Sequence, residues 1–199
     1  MKYIGLSHPH FDHAGGVAAL ARLSGAKVMT SRRGAEILAL GHAPRDDAQY
    51  TPDNPMNFPP VKTATSIADG ATLALGNITL TLHETPAHAP GGTTWTWRDC
   101  DASGEQCLDL VYADSLNPVA ADSFRFSDQP DHVKQFRATV ARVRALPCDV
   151  LVSAHPSFSQ LFERETAGQL VDTEACKRYA DAADSRLDAR IATERGTAQ

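Results

Sequence analysis

Six consecutive residues, His8-Pro9-His10-Phe11-Asp12-His13, set three imidazoles and a carboxylate side by side and leave the chain few choices there. His8 and His10 are two positions apart, so in an extended segment both project to one face, where a single cation could take a nitrogen from each. Asp12 and His13 follow where the chain turns from strand to helix, and they address a neighbouring point. Gly15-Gly16 permits the tight backbone that such a turn requires. Imidazole plus carboxylate without thiolate suits a catalytic zinc that keeps an open position. With 8 histidines in 199 residues, the pattern H-x-H-x-D-H arises by chance about once in a thousand such chains. The alternative is a polar turn of solvated histidines.

The elements around this hexapeptide alternate. Residues 2–7 read as a strand, 17–23 as a helix and 26–30 as a second strand. Ser31 is placed to cap a helix over 32–40. That order predicts an α/β layered fold. Residues 42–60, rich in Pro, Asp and Asn, read as a long loop. The runs 73–75 and 78–82, alternating about Gly76-Asn77, predict a hairpin, and 93–97 and 108–113 two further strands. Val133, Phe136, Val140, Val143 and Leu146 recur at helical spacing within 131–146. Residues 149–153 read as a strand. Asp172 is expected to cap a final helix running to about Glu194, with Glu174 and Arg178 paired one turn apart. No linker divides the chain, whose length suits one domain.

Two later histidines stand just past predicted strand ends, where α/β folds collect functional loops. They are His88, in Glu84-Thr-Pro-Ala-His-Ala-Pro-Gly-Gly92, and His155, in Ser153-Ala-His-Pro156. His83 reads as packed or at the surface, and His42 and His132 as solvated. The formal charge of −5 argues against nucleic acid as a partner. No apolar run is long enough to span a membrane, and no basic segment followed by an apolar stretch marks a secretory signal. Cys100, Cys107, Cys148 and Cys176 allow three pairings or four free thiols; none lies in a C-x-x-C motif. A Cys100–Cys107 bridge would staple a hairpin across the polar tip DASGEQ.

The segments Ser7 to Gly16, Thr85 to Trp97, Tyr112 to Asn117, Leu146 to Asp149 and Ala154 to Pro156 together resemble the metallo-β-lactamase superfamily, and within it the class B, subclass 3 β-lactamases. The resemblance implies an αβ/βα sandwich whose first half is N-terminally truncated, so that residues 1–199 form one domain incomplete at its N-terminus. An unpaired sheet edge or exposed core near Tyr3 to Leu6 would follow. It implies two zinc ions, one on His8, His10 and His88 and one on Asp12, His13 and His155. Asp12 would also be catalytic, orienting the nucleophile. Ser115 and Asn117 would support the second metal or contact the substrate carboxylate. The implied disulfides are Cys148–Cys176 and Cys100–Cys107, in an oxidising compartment, periplasmic or secreted. The implied activity is hydrolysis of a small-molecule β-lactam antibiotic (penicillin, cephalosporin or carbapenem) by a zinc-bound hydroxide in a monomer. Two alternatives stand beside it. A thioesterase or lactonase of the same superfamily would use a bridging aspartate, one residue out of register at Asp114. A zinc-binding fragment would have little activity. Two departures bear on the site: Pro9 stands where alanine is usual, and Ala87 where glycine is common, which costs freedom if a positive φ were needed.

Overall fold

The computed structural model of the chain describes residues 1–196. Three parallel strands, β1 (Tyr3–Gly5), β2 (Lys27–Thr30) and β3 (Thr65–Ser66), form one sheet in that order. The other sheet runs β4 (Thr72–Leu75), β5 (Ile78–Glu84), β6 (Thr93–Cys100), β7 (Cys107–Ala113) and β8 (Val150–Ser153). Its first four strands are antiparallel, and β8 lies parallel to β7.

Three apolar clusters define the layers. The helices α1 (Phe11–Ala14), α2 (Val17–Ser24) and α3 (Arg32–Leu40) bury Ala14, Val17, Ile37 and Leu38 against Leu6 and Val28 of the small sheet. Met29, Leu82 and Trp95 fill the space between the sheets. On the far side α4 (Pro130–Arg144) and α6 (Ala175–Gly196) pack Phe136, Val140, Val143, Tyr179 and Leu187 onto Val111 and Leu151. The order helix, sheet, sheet, helix is that of an αβ/βα sandwich.

The sheets are tied where β1 ends. Thr93 N–H donates to the Ser7 carbonyl at 2.6 Å, and the Trp95 indole to the Leu6 carbonyl at 2.9 Å. Leu6 still gives its N–H to the Met29 carbonyl of β2, but from there the chain is held by the large sheet, so the strand expected over 2–7 is shorter. β1 is an edge strand with β2 as its one neighbour among the described residues. Leu6 is nevertheless buried, and Tyr3 and Ile4 are half-buried.

Ser31 caps α3 by accepting from Gly34 N–H at 3.0 Å. The final helix differs from expectation. It begins at Ala175, because Asp172 N–H is drawn to the Asp149 carbonyl and Val171 bridges to Val150. Asp172 Oδ1 accepts from Glu174 N–H, and its carboxylate pairs with Arg178, leaving Glu174 to Lys177 at 2.7 Å. The pair expected between Glu174 and Arg178 is therefore not made. A short helix, α5 (Leu161–Thr166), and the two-residue β3 carry too little periodicity to read from sequence.

Cys100 is bonded to Cys107 at the facing ends of β6 and β7, and Cys148, just before β8, to Cys176 on α6. The second loop is longer, 28 residues of separation against 7. Loop-closure entropy then assigns it about 3.5 kcal/mol and the hairpin staple about 2.5 kcal/mol. Alanine at both cysteines of each pair is expected to cost stability in that order, read by urea unfolding; equal losses would show that loop length does not govern the difference.

Candidate metal centre

The candidate ligands lie at the C-terminal ends of strands. Past β1 the chain stays extended through His10 (φ −93°, ψ 161°). It then turns into α1, where His13 and Ala14 N–H both return to the His10 carbonyl. His8 and His10 thus reach the same region, with ring centroids 4.8 Å apart, while His13 enters from the first helical turn. His88 sits in a loop after β5 closed by Thr85 N–H to the Gly92 carbonyl at 2.9 Å. His155 follows β8 and opens a 3₁₀ turn, Pro156–Ser159.

The first group is His8, His10 and His88, all buried, with one ring nitrogen from each within 4.8 Å of the others. Every ring is held from behind. His8 Nδ1 donates to Asp114 Oδ1 at 2.7 Å, His10 Nε2 to Asp47 Oδ2 at 2.7 Å, and His88 Nδ1 to the Asn117 carbonyl at 2.8 Å. Those bonds fix the tautomers, so His8 Nε2, His10 Nδ1 and His88 Nε2 carry lone pairs. His8 Nε2 is buried with no hydrogen-bond partner among the described residues; the Gln49 amide lies 3.2 Å from His88 Nε2.

His13 and His155 form the second group, again with His8. Their Nε2 atoms are 3.1 Å apart, and Asp12 Oδ2 lies 3.1 Å from His13 and 3.6 Å from His155. Ligands at zinc distance in a tetrahedral shell stand about 3.3 Å apart, so this separation suits one ion. The Asp12 side chain is more than half exposed. His8 lies between the two groups. Ser115 is 1% exposed with no partner for its hydroxyl among the described residues, and Asn117 meets the centre through its carbonyl.

Burial, reinforced by the neighbouring imidazoles, lowers His8 well below the ordinary histidine range and His88 to about 4; burial also lowers His13. His8, His13 and His88 are therefore presented as neutral imidazoles at pH 7. Burial pushes the Asp114 carboxyl up, and a cation beside His8 would reverse that pressure. An orphaned buried imidazole nitrogen, three lone pairs converging and carboxylates behind the rings together fit a metal ion.

Sequence did not single out Asp47, Gln49 or Tyr179, and it placed Asp114 only as a register neighbour. Tyr179 donates to the Asp114 carbonyl at 2.8 Å and pins the segment that carries it. The loop glycines are forced by contact. A Cβ on Gly92 would fall 2.2 Å from Asp114 Oδ2, and one on Gly91 2.7 Å from Gly34 Cα. Ala87 has no positive φ, so the alanine costs nothing there. His42 and His132, expected to be solvated, are half-buried. His42 Nδ1 donates to the Ala43 carbonyl at 2.8 Å, and His132 packs edge-on against Phe124 and Phe126.

Residues 1–102 match the family described as the Metallo-beta-lactamase superfamily. The chain belongs to this superfamily. It is similar over nearly its whole length to solved metallo-β-lactamases. The enzyme MIM-1 from Novosphingobium pentaromativorans is 41% identical, with TM-score 0.91, covering 100% of this chain and 72% of that one. MEM-A1, a subclass B3 metallo-β-lactamase from a soil metagenome library, is 38% identical, with TM-score 0.92, covering 99% and 76%. A hydroxyacylglutathione hydrolase from Anaeromyxobacter dehalogenans (strain 2CP-C) is 35% identical over 96 residues, 48% of this chain and 29% of that protein's length. The protein is thus a metallo-β-lactamase-fold hydrolase.

Two outcomes follow for this superfamily member. Asp114→Asn and Gly92→Ala are expected to weaken metal binding 10–100-fold while the fold persists, measured by titration against a chromophoric chelator; undiminished affinity in both would remove Asp114 from the support of His8. In the metal-free protein, His88 takes its proton in the unfolded chain near pH 6.5 but in the folded one only near 4. Stability is then complete above about pH 6.5 and declines as the pH falls through that window. His88 alone accounts for roughly 2–3 kcal/mol between about pH 7.5 and about pH 4.5, and urea unfolding of chelated protein reads the slope.

Proposed function

We propose that the protein hydrolyses the β-lactam ring of penicillins, cephalosporins and carbapenems in a zinc-dependent reaction. The observation that carries this reading is the set of three converging imidazole lone pairs, each ring held from behind by Asp114, Asp47 or the Asn117 carbonyl. His8, His10 and His88 would hold one zinc, and Asp12, His13 and His155 a second. Zinc, when bound there, supplies Lewis acidity and brings the pKa of a water near 7. The chain's own groups do the rest. Asp114 and Asp47 keep the rings in the tautomer that faces the centre. Asp12 Oδ2, at the open side, accepts a hydrogen bond from the attacking water and orients it toward the lactam carbonyl. Ser115, 1% exposed, would support the second metal or contact the substrate carboxylate. The likeness to subclass B3 enzymes at 38–41% identity supports the β-lactam as substrate.

A thioesterase is the second reading, favoured by the likeness to a hydroxyacylglutathione hydrolase. Asp114 weighs against the bridging aspartate of that chemistry, since it is fully buried and engaged at the rear of His8. The two disulfides support an oxidising compartment, the periplasm or the exterior. No helix among the described residues is long and apolar enough to cross a membrane.

Zinc-loaded protein is expected to bleach carbapenem absorbance and to stop after chelation, with Asp12→Asn slowed at least about 100-fold. A folded, zinc-loaded sample without turnover would overturn the lactamase reading, and a panel of thioesters and lactones would then identify the substrate class.

A further inference from the structure

Helix α6 is held unevenly along its length. Its buried positions include Ala175, Cys176, Tyr179, Ala180, Ala183 and Leu187. The second half is anchored by Leu187, by Ile191 packed against the same core, and by Ser127 N–H given to the Glu194 carboxylate at 2.8 Å. The first half offers the core three alanine methyls, which bury little apolar area. Its surface ion pairs, such as Arg178 with Asp172 and Arg144 with Asp181, are worth little. What fixes it is the bridge from Cys176 to Cys148 and the buried Tyr179. These two residues are three positions apart, one turn along the same face.

Tyr179 holds the segment under the first histidine group. Past Ala113 the ladder between β7 and β8 has ended. The backbone beyond it bonds instead to side chains. Asp114 N–H goes to Thr94 Oγ1 at 3.1 Å, the Asp114 carbonyl accepts from the Tyr179 hydroxyl at 2.8 Å, and Leu116 N–H donates to that same hydroxyl at 3.3 Å. Asp114 Oδ1 in turn accepts from His8 Nδ1 at 2.7 Å. The other end of the bridge reaches the second group, since Cys148 precedes β8 and His155 follows it. One covalent link thus ties the strand behind His155 to the helix behind His8. Close-packed interiors transmit a shift rather than absorb it, and each of these bonds leaves a buried polar group unmet when it is cut.

We propose that Tyr179 is a positioning residue for the metal centre, and that the Cys148–Cys176 bridge, by fixing the first turns of α6, sets how tightly the centre holds its ion through Tyr179 and Asp114. The coupling rests on a metal at the histidines and is independent of the bond hydrolysed there.

The test is zinc affinity, by competition with a chromophoric chelator, in variants shown to be folded by circular dichroism, together with the visible absorption of the cobalt-loaded protein. Tyr179→Phe keeps the ring and removes the hydroxyl. It is expected to bind zinc about tenfold more weakly and to shift the cobalt bands, a change that lost stability alone does not produce. Cys148→Ala with Cys176→Ala is expected to do the same; Cys148→Ala with Cys176→Val, which refills part of the space, serves where the alanine pair does not fold. Because the bridge and the hydroxyl act in series, the variant combining both changes is expected to bind within about twofold of the weaker parent variant. Cys100→Ala with Cys107→Ala, at the opposite end of β7, is expected to leave affinity and spectrum unchanged. Unchanged affinity in folded Tyr179→Phe or in a folded variant without the Cys148–Cys176 bridge, penalties that multiply in the combined variant, or an equal loss from the hairpin pair overturns the proposal. Absence of zinc binding by the unsubstituted chain overturns the metal centre and the coupling together.

Discussion

The hydrogen bond between His8 Nδ1 and Asp114 Oδ1 joins two fully buried side chains 106 positions apart, and much of the architecture is arranged around it. Asp114 leaves the end of β7, with its N–H given to Thr94 Oγ1 on β6 and its carbonyl taken by Tyr179 on α6. His8 leaves β1 just where Thr93 and Trp95 bind the small sheet to the large one. The pair therefore sits at the seam of the sandwich, tied to both sheets and to the outer helix layer. Truncating either partner would strand a buried polar group, whose cost exceeds the net worth of an ordinary hydrogen bond.

What could be read from sequence follows from distance along the chain. His8, His10, Asp12 and His13 are legible because a local pattern carries them, and His88 and His155 because each follows a strand. The groups that orient those rings arrive from elsewhere. Asp47 is 37 positions from His10, and Gln49 is 39 from His88, both inside a loop that reads as featureless polar chain. No periodicity marks such residues; only the fold brings them under the imidazoles. Elements with a long apolar stripe, such as α4, were legible for the converse reason, since burial demands a repeat. Asp172 does receive Glu174 N–H on its side chain and Ala175 N–H on its carbonyl, and the regular helix begins at Ala175.

The exposed charges do little by comparison. Arg137 and Arg144 reach from α4 to Asp184, Asp188 and Asp181 on α6. Surface pairs of this kind are worth roughly 0–1 kcal/mol each. The two helices are held instead by Phe136, Val140, Val143 and Leu187, all fully buried. That frees the acidic surface from a structural role, and it lets the interior use charge where geometry matters.

Helix α6 links the two interior uses. Tyr179 and Arg186 are seven residues apart, two turns, and so share one face of the helix. Tyr179 braces Asp114 and through it His8; Arg186 meets Phe158, whose ring lies edge-on to His155 at 6.3 Å. One rigid element thus stands behind both histidine groups, at one turn by a satisfied hydroxyl and two turns later by an unsatisfied cation. Were α6 only a cover for the core, an aliphatic side chain would serve at position 186 without stranding two buried donors. What the structure gives the cation at 186 instead is the face of the Phe158 ring, 5.0 Å from the guanidinium carbon.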